Sequence, residues 1–105
     1  MRALKAEIDN LIKNDLHKYT FGETISQCRY RCGISISRVS DFVHIFPSRL
    51  KRIEEDRFRT SLDKHEFDSL CDFYELPVNI MQEKMEHQLE KFKKVTKASK
   101  FFNDK

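Results

Sequence analysis

Only two glycines and two prolines punctuate the 105 residues of this chain. Sandwiches and barrels need turn-forming residues about every 8–12 positions, and Gly22, Gly33, Pro47 and Pro77 do not supply them. An all-α fold is therefore expected. Hydrophobic residues make up 39% and charged residues 35%, which suits one domain with a single helical core and is too polar for a membrane protein. No apolar run approaches the roughly 18 residues of a spanning helix. The opening "MRALKAEIDNLIKNDLHKY" is too acidic and too interrupted for a signal peptide. The expectation is a soluble, cytoplasmic protein.

The residue types that carry chemistry are sparse. Cys28, Cys32 and Cys71 are odd in number and make no disulfide framework. Cys28 and Cys32 stand one helical turn apart, a spacing open to a metal pair, but two thiols on or near a core face account for it more simply. His17, His44, His65 and His87 are scattered. No Ser/His/Asp or Cys/His set and no phosphate loop occurs, nor do paired carboxylates at a glycine-poor cleft. No catalytic residue, metal or cofactor is expected. Net charge is +3, which permits nucleic-acid binding without demanding it. Residues 91–105 hold six lysines and one aspartate and read as a basic tail.

Periodicity divides the chain into helices. Leu4, Ile8, Leu11, Ile12 and Leu16 form a stripe over residues 2–18, and Tyr19 to Gly22 break it. A second helix is predicted from about Glu23 to Cys32, ending where Gly33 can adopt a left-handed turn. Ser35 is a good N-cap for a third helix carrying Val39, Phe42 and Val43. "HIF" follows as a corner, and Pro47 suits the first turn of a fourth helix with Leu50 and Ile53 inward. After the loop "DRFRTS", Ser61 or Asp63 caps a helix holding Leu62, Phe67, Leu70, Cys71 and Tyr74. Pro77 opens a last helix of about 20 residues with Val78, Met81, Met85, Leu89, Phe92 and Val95 at spacings of three and four. Residues 1–20 and 82–105 read as helical extensions of a compact middle, residues 21–81.

That middle resembles the helix-turn-helix domain of the lambda repressor and Cro (XRE) family of phage and bacterial regulators. "FGETISQCRYRCGIS" is similar to the family's first helix, with Ile25, Arg29, and Gly33 followed by an apolar residue and Ser35. "VSDF" resembles the apolar–small pair of the next helix, with Ser40 where helices cross. "LKRIE" is similar to the end of the recognition helix, and "LCDFYELPVNIM" to the closing helix pair. The match covers about sixty residues, and its joint spacing is more specific than any one piece. A small residue at Ser40 lets two helices meet steeply, so that Val39, Ile45, Leu50 and Ile53 close a core. The second helix is then left protruding toward a major groove ~12 Å wide.

There are departures from the family. His44 replaces the usual corner glycine, and Asp56 a glycine that often ends the recognition helix. Ile36 replaces a glutamine that often touches phosphate. Phe46 and Pro47 take outward positions often held by polar base readers; neither side chain can hydrogen-bond a base edge, though Phe46 can press on a thymine methyl. Ser48 and Arg52 remain as polar readers, with Arg49, Lys51, Arg57 and Arg59 as phosphate contacts. Glu54, Glu55 and Asp56 oppose this, since acids beside a groove repel the backbone. The resemblance implies that Arg29 and Glu54 pair across the domain, and the residues agree: each is next to an inward-facing position and needs a partner if partly buried.

The expected function is sequence-specific binding of double-stranded DNA in the nucleoid as a transcriptional regulator, by a homodimer whose surface includes Met85, Leu89 and Phe92. Packing of that same stripe on the N-terminal helix is the alternative use of it. The competing function is a protein-binding module (antitoxin, anti-repressor or adaptor) that inserts Phe46 into a partner. A positive face around the recognition helix favours DNA, and an exposed apolar patch around Phe46 favours protein.

Overall fold

The computed structural model describes the backbone of residues 5–58 and 60–103 and the side chains of residues 6–58 and 60–91. Six α-helices follow in order: α1 (Lys5–Asn14), α2 (Phe21–Cys32), α3 (Ile36–Val43), α4 (Pro47–Glu54), α5 (Lys64–Tyr74) and α6 (Val78–Asn103). A 3-10 turn, Leu16–Lys18, separates α1 from α2. No strand occurs among the described residues.

The helix ends are written in local chemistry. Thr20 and Glu23 form a capping box: the Thr20 hydroxyl accepts from the Glu23 N–H, and the Glu23 carboxylate accepts from the Thr20 N–H. The helix therefore starts at Phe21 rather than at Glu23, and Gly22 lies inside it instead of breaking the chain. Gly33 ends α2 at φ 65°, where its N–H and that of Ile34 satisfy the Tyr30 and Arg29 carbonyls. Ser35 caps α3 through the Arg38 N–H. Asp63, not Ser61, caps α5, again in a reciprocal box with Glu66. Each such cap is worth about 1 kcal/mol.

One apolar cluster holds these helices. α2 contributes Phe21, Ile25 and Cys28; α4 contributes Leu50 and Ile53; α5 contributes Phe67, Leu70 and Tyr74; α6 contributes Met81 and Met85. Ile8, Leu11 and Leu16 are buried in the same cluster, so the N-terminal helix shares the core that residues 21–81 build. α2 lies at the centre, packed on α1, α4 and α6, while α3 packs on α4 and α5. The Phe21 ring meets Phe58 edge-on and stacks on Phe67, which draws the segment after α4 onto the core.

The last helix is docked to the N-terminal segment by a charge. The Lys84 ammonium donates to the Leu16 carbonyl at 2.7 Å and also to the Tyr19 carbonyl, at the end of the 3-10 turn. Burial lowers its pKa, opposed by the field of Glu23. Met85, expected at a dimer surface, is instead only 3% exposed within its own chain. The stripe on α6 is used internally through Met85, with Leu89 partly buried against the same cluster. The Phe92 and Val95 side chains lie outside the described residues.

Candidate nucleic-acid interface

The corner between α3 and α4 is three residues long, His44–Ile45–Phe46. Turning the chain this sharply puts His44 at φ 56°, ψ 44°, in the left-handed region, with its N–H closing on the Ser40 carbonyl. Histidine accepts that conformation at some steric expense. The small Ser40 side chain fits inside the corner and donates to the Ile45 carbonyl at 2.6 Å. Val39, Val43 and Ile45 are buried together with Leu50 and Ile53, so the apolar residues of both helices face inward and the opposite face of α4 is left outside.

At its C-terminal end α4 is fixed by side chains. Arg29 grips Glu54 with a fork, Nε to Oε2 at 2.8 Å and Nη2 to Oε1 at 3.1 Å, while Nη1 donates to the Ile34 carbonyl at 3.1 Å. The two side chains are 13% and 8% exposed. The hydrogen bonds it donates to Glu54 are the main reason the Arg29 pKa rises. Beyond the helix, Asp56 stands at φ 58° and reaches across to α2. Its Oδ1 accepts from the Gly22 N–H at 2.7 Å and its Oδ2 from the Thr20 hydroxyl at 2.6 Å. A carboxylate is thus supplied from another element to the start of α2, where the helix dipole and unbonded N–H groups favour one.

The outward face of α4 carries Phe46, Pro47, Ser48, Lys51, Arg52 and Glu55, all exposed. Phe46, at 82%, is the most exposed large apolar residue described. Beside it lies a hollow of about 260 Å³ lined by Ser40, His44, Ile45 and Phe46. Arg38 on α3 is exposed as well. Among the described residues, neither Arg38 nor Arg52 belongs to an ion pair.

Arg49 does not stand free among the phosphate contacts expected for it. It turns toward α5 and holds Glu66 with Nε to Oε2 at 2.7 Å and Nη2 to Oε1 at 3.1 Å. Arg57 is exposed and donates to Glu55 at 2.8 Å, which lowers the Glu55 pKa. Arg59 lies outside the described residues. The three acids that looked adverse are each engaged: Glu54 by Arg29, Asp56 by Thr20 and Gly22, Glu55 by Arg57.

The contacts missed from the sequence are Asp56 with Thr20 and Gly22, Arg49 with Glu66, and Lys84 with the 3-10 turn. The Thr20-Phe-Gly-Glu23 capping box beside the first of them has a local spacing, but Asp56 itself leaves no trace there. The others join residues too far apart for local pattern to register. Burial pushes the Cys28 thiol up to about 12 and the Cys71 thiol to about 11, far from a reactive thiolate. Among the described residues no group of three His, Cys, Asp or Glu is placed to hold a metal, and no helix is long and apolar enough to cross a membrane. No protein-family model, curated protein or solved structure matches the chain.

Proposed function

We propose that the chain is a sequence-specific DNA-binding regulator of the phage repressor and Cro type, with α3 and α4 as its helix-turn-helix and α4 as the recognition helix. The observation that carries this reading is the outward face of α4. It offers Ser48, Lys51 and Arg52 to a groove, while Glu54, Glu55 and Asp56 are each occupied by a partner. Arg52 reads a base edge, guanine being the commonest partner of arginine, and Ser48 a second. Lys51 contacts a phosphate, while Arg57 neutralises Glu55.

The test is selection of bound duplexes from a random pool, followed by titrations across salt. Affinity is expected to fall with a log–log slope of roughly 0.9 per phosphate neutralised. Arg52→Ala should relax base preference at one position, with a loss of about 1–3 kcal/mol there. Lys51→Ala should weaken all sequences alike and reduce the slope by about one. Arg49→Ala should leave the slope unchanged, because Glu66 already holds that guanidinium. Absence of duplex binding at about 50 mM salt, with no site emerging from selection, would overturn the proposal and pass the face to a protein partner, for which the exposure of Phe46 speaks.

Reading two half-sites one turn of DNA apart requires a two-fold dimer. With Met85 inside the core, the surface proposed for it is the part of α6 from Leu89 onward. Leu89→Asp should yield helical monomers, whereas Met85→Asp should unfold the chain. Light scattering and circular dichroism on both variants check this, and a wild-type mass of one chain at tens of micromolar would exclude the dimer.

A further inference from the structure

We infer that Phe46 reads the C5-methyl group of a pyrimidine in the major groove, so that the start of α4 is a methyl-recognition site. The inference rests on the duplex-binding reading above and assigns it a ligand. Phe46 is the N-cap of α4, a position where Ser, Thr, Asp and Asn are favoured because their side chains accept a helix N–H. Phenylalanine makes no such bond here. Nor is the residue there for packing, since the ring is 82% exposed. Neither helix capping nor the core accounts for a large apolar side chain at this place.

What the ring can recognise is limited by chemistry. It has no donor or acceptor for a base edge, and Pro47 beside it adds a second apolar surface without an N–H. Among the groups that the major groove displays, the methyl of thymine is the apolar one. 5-Methylcytosine presents the same group at the same ring carbon. The hollow between the Phe46 ring and Ile45, His44 and Ser40 gives a methyl a concave surface rather than a single edge. Lys51 and Arg52, on the same exposed face, supply the charge that brings the duplex there. Phe46 and Arg52 are six residues apart, about 9 Å along a helix. At 3.4 Å per base pair, the methylated pyrimidine falls no more than about three base pairs from the base that Arg52 reads.

The experiment uses the full chain and its selected duplex. Deoxyuridine replaces each thymidine in turn, and 5-methyldeoxycytidine replaces each deoxycytidine, in competition titrations with wild type, Phe46→Leu and Phe46→Ala. Removing one recognised methyl should weaken wild-type binding about fourfold. Phe46→Leu should keep most of that difference, and Phe46→Ala should bind the methylated and unmethylated duplexes alike. A loss confined to deoxyuridine identifies thymine as the ligand. A gain with 5-methyldeoxycytidine near the Arg52 position identifies the modified base. Wild-type binding that is indifferent to every methyl, or a methyl effect that survives in Phe46→Ala, overturns the inference and leaves the regulator reading standing. Failure to bind any duplex overturns both.

Discussion

Replacing Glu54 with alanine is expected to destabilise the protein by about 3–5 kcal/mol, while Glu55→Ala, one residue on, leaves the unfolding midpoint almost unchanged. The two acids have the same charge and opposite surroundings. Glu54 is 8% exposed and receives two hydrogen bonds from Arg29, itself 13% exposed. Its removal strands a guanidinium that cannot lose its proton and keeps no acid, only the Ile34 carbonyl and the Tyr30 ring, as partners. Glu55 is exposed and bonds the exposed Arg57, a pair of the kind worth little because water and salt screen it. The cost of the single mutant does not measure the net worth of the ion pair, whose desolvation offsets much of its attraction. The double variant Arg29→Met/Glu54→Leu should therefore recover most of the loss. Urea melts of the four proteins decide it, and equal midpoints for Glu54→Ala and Glu55→Ala would refute the assignment.

The second large effect concerns two glycines that are essential for different reasons. A Cβ on Gly22 would lie 2.4 Å from the Ile53 carbonyl oxygen and 2.7 Å from Asp56 Oδ1. Alanine there must push α2 away from the end of α4 and loosen the Asp56 bonds, a loss of about 2–4 kcal/mol. Around Gly33 a Cβ meets nothing within 4 Å, but the backbone is at φ 65°. Gly33→Ala is therefore expected to cost about 1–2 kcal/mol through conformation alone. Asparagine separates the two causes. It tolerates the left-handed region, so Gly33→Asn should restore much of the stability, whereas Gly22→Asn should be no better than alanine. Thermal melts giving the same ranking at both sites would contradict this distinction.

Those two glycines also mark how far the sequence could be read. Gly33 was legible, because a helix ending in a left-handed residue is a local event with a local signature. Ser35, Pro47 and the alternation of buried residues along α3 and α4 were legible for the same reason. Gly22 looks like a chain break because the groups packed on it, the Ile53 carbonyl and the Asp56 carboxylate, are more than thirty positions away and invisible to periodicity. Arg49 looks free in the sequence, since nothing near it indicates Glu66 on α5. The apolar stripe of α6 was plain, but a stripe says that a face is covered and not by what; Met85 in the core and Lys84 on the 3-10 turn supply that answer. The Arg29–Glu54 pair is legible only in part, since a place beside an inward-facing residue says that each charge needs a partner and not which one.

The ties on α4 are unevenly distributed, and this gives the helix the mechanics of a cantilever. Its foot is held at Glu54 by Arg29 and just beyond by Asp56 on Thr20 and Gly22, whereas nearer the tip Arg49 on Glu66 joins it to α5 and the Ser40 bond to the Ile45 carbonyl braces the corner. Eight helical residues make a beam of about 12 Å. A tilt of about 5° at the foot therefore carries the tip roughly 1 Å sideways, the scale on which a hydrogen bond to a base is made or lost. In the duplex-reading role proposed for α4, compliance at the foot would thus blur discrimination between base pairs while leaving the electrostatic attraction to the backbone almost untouched.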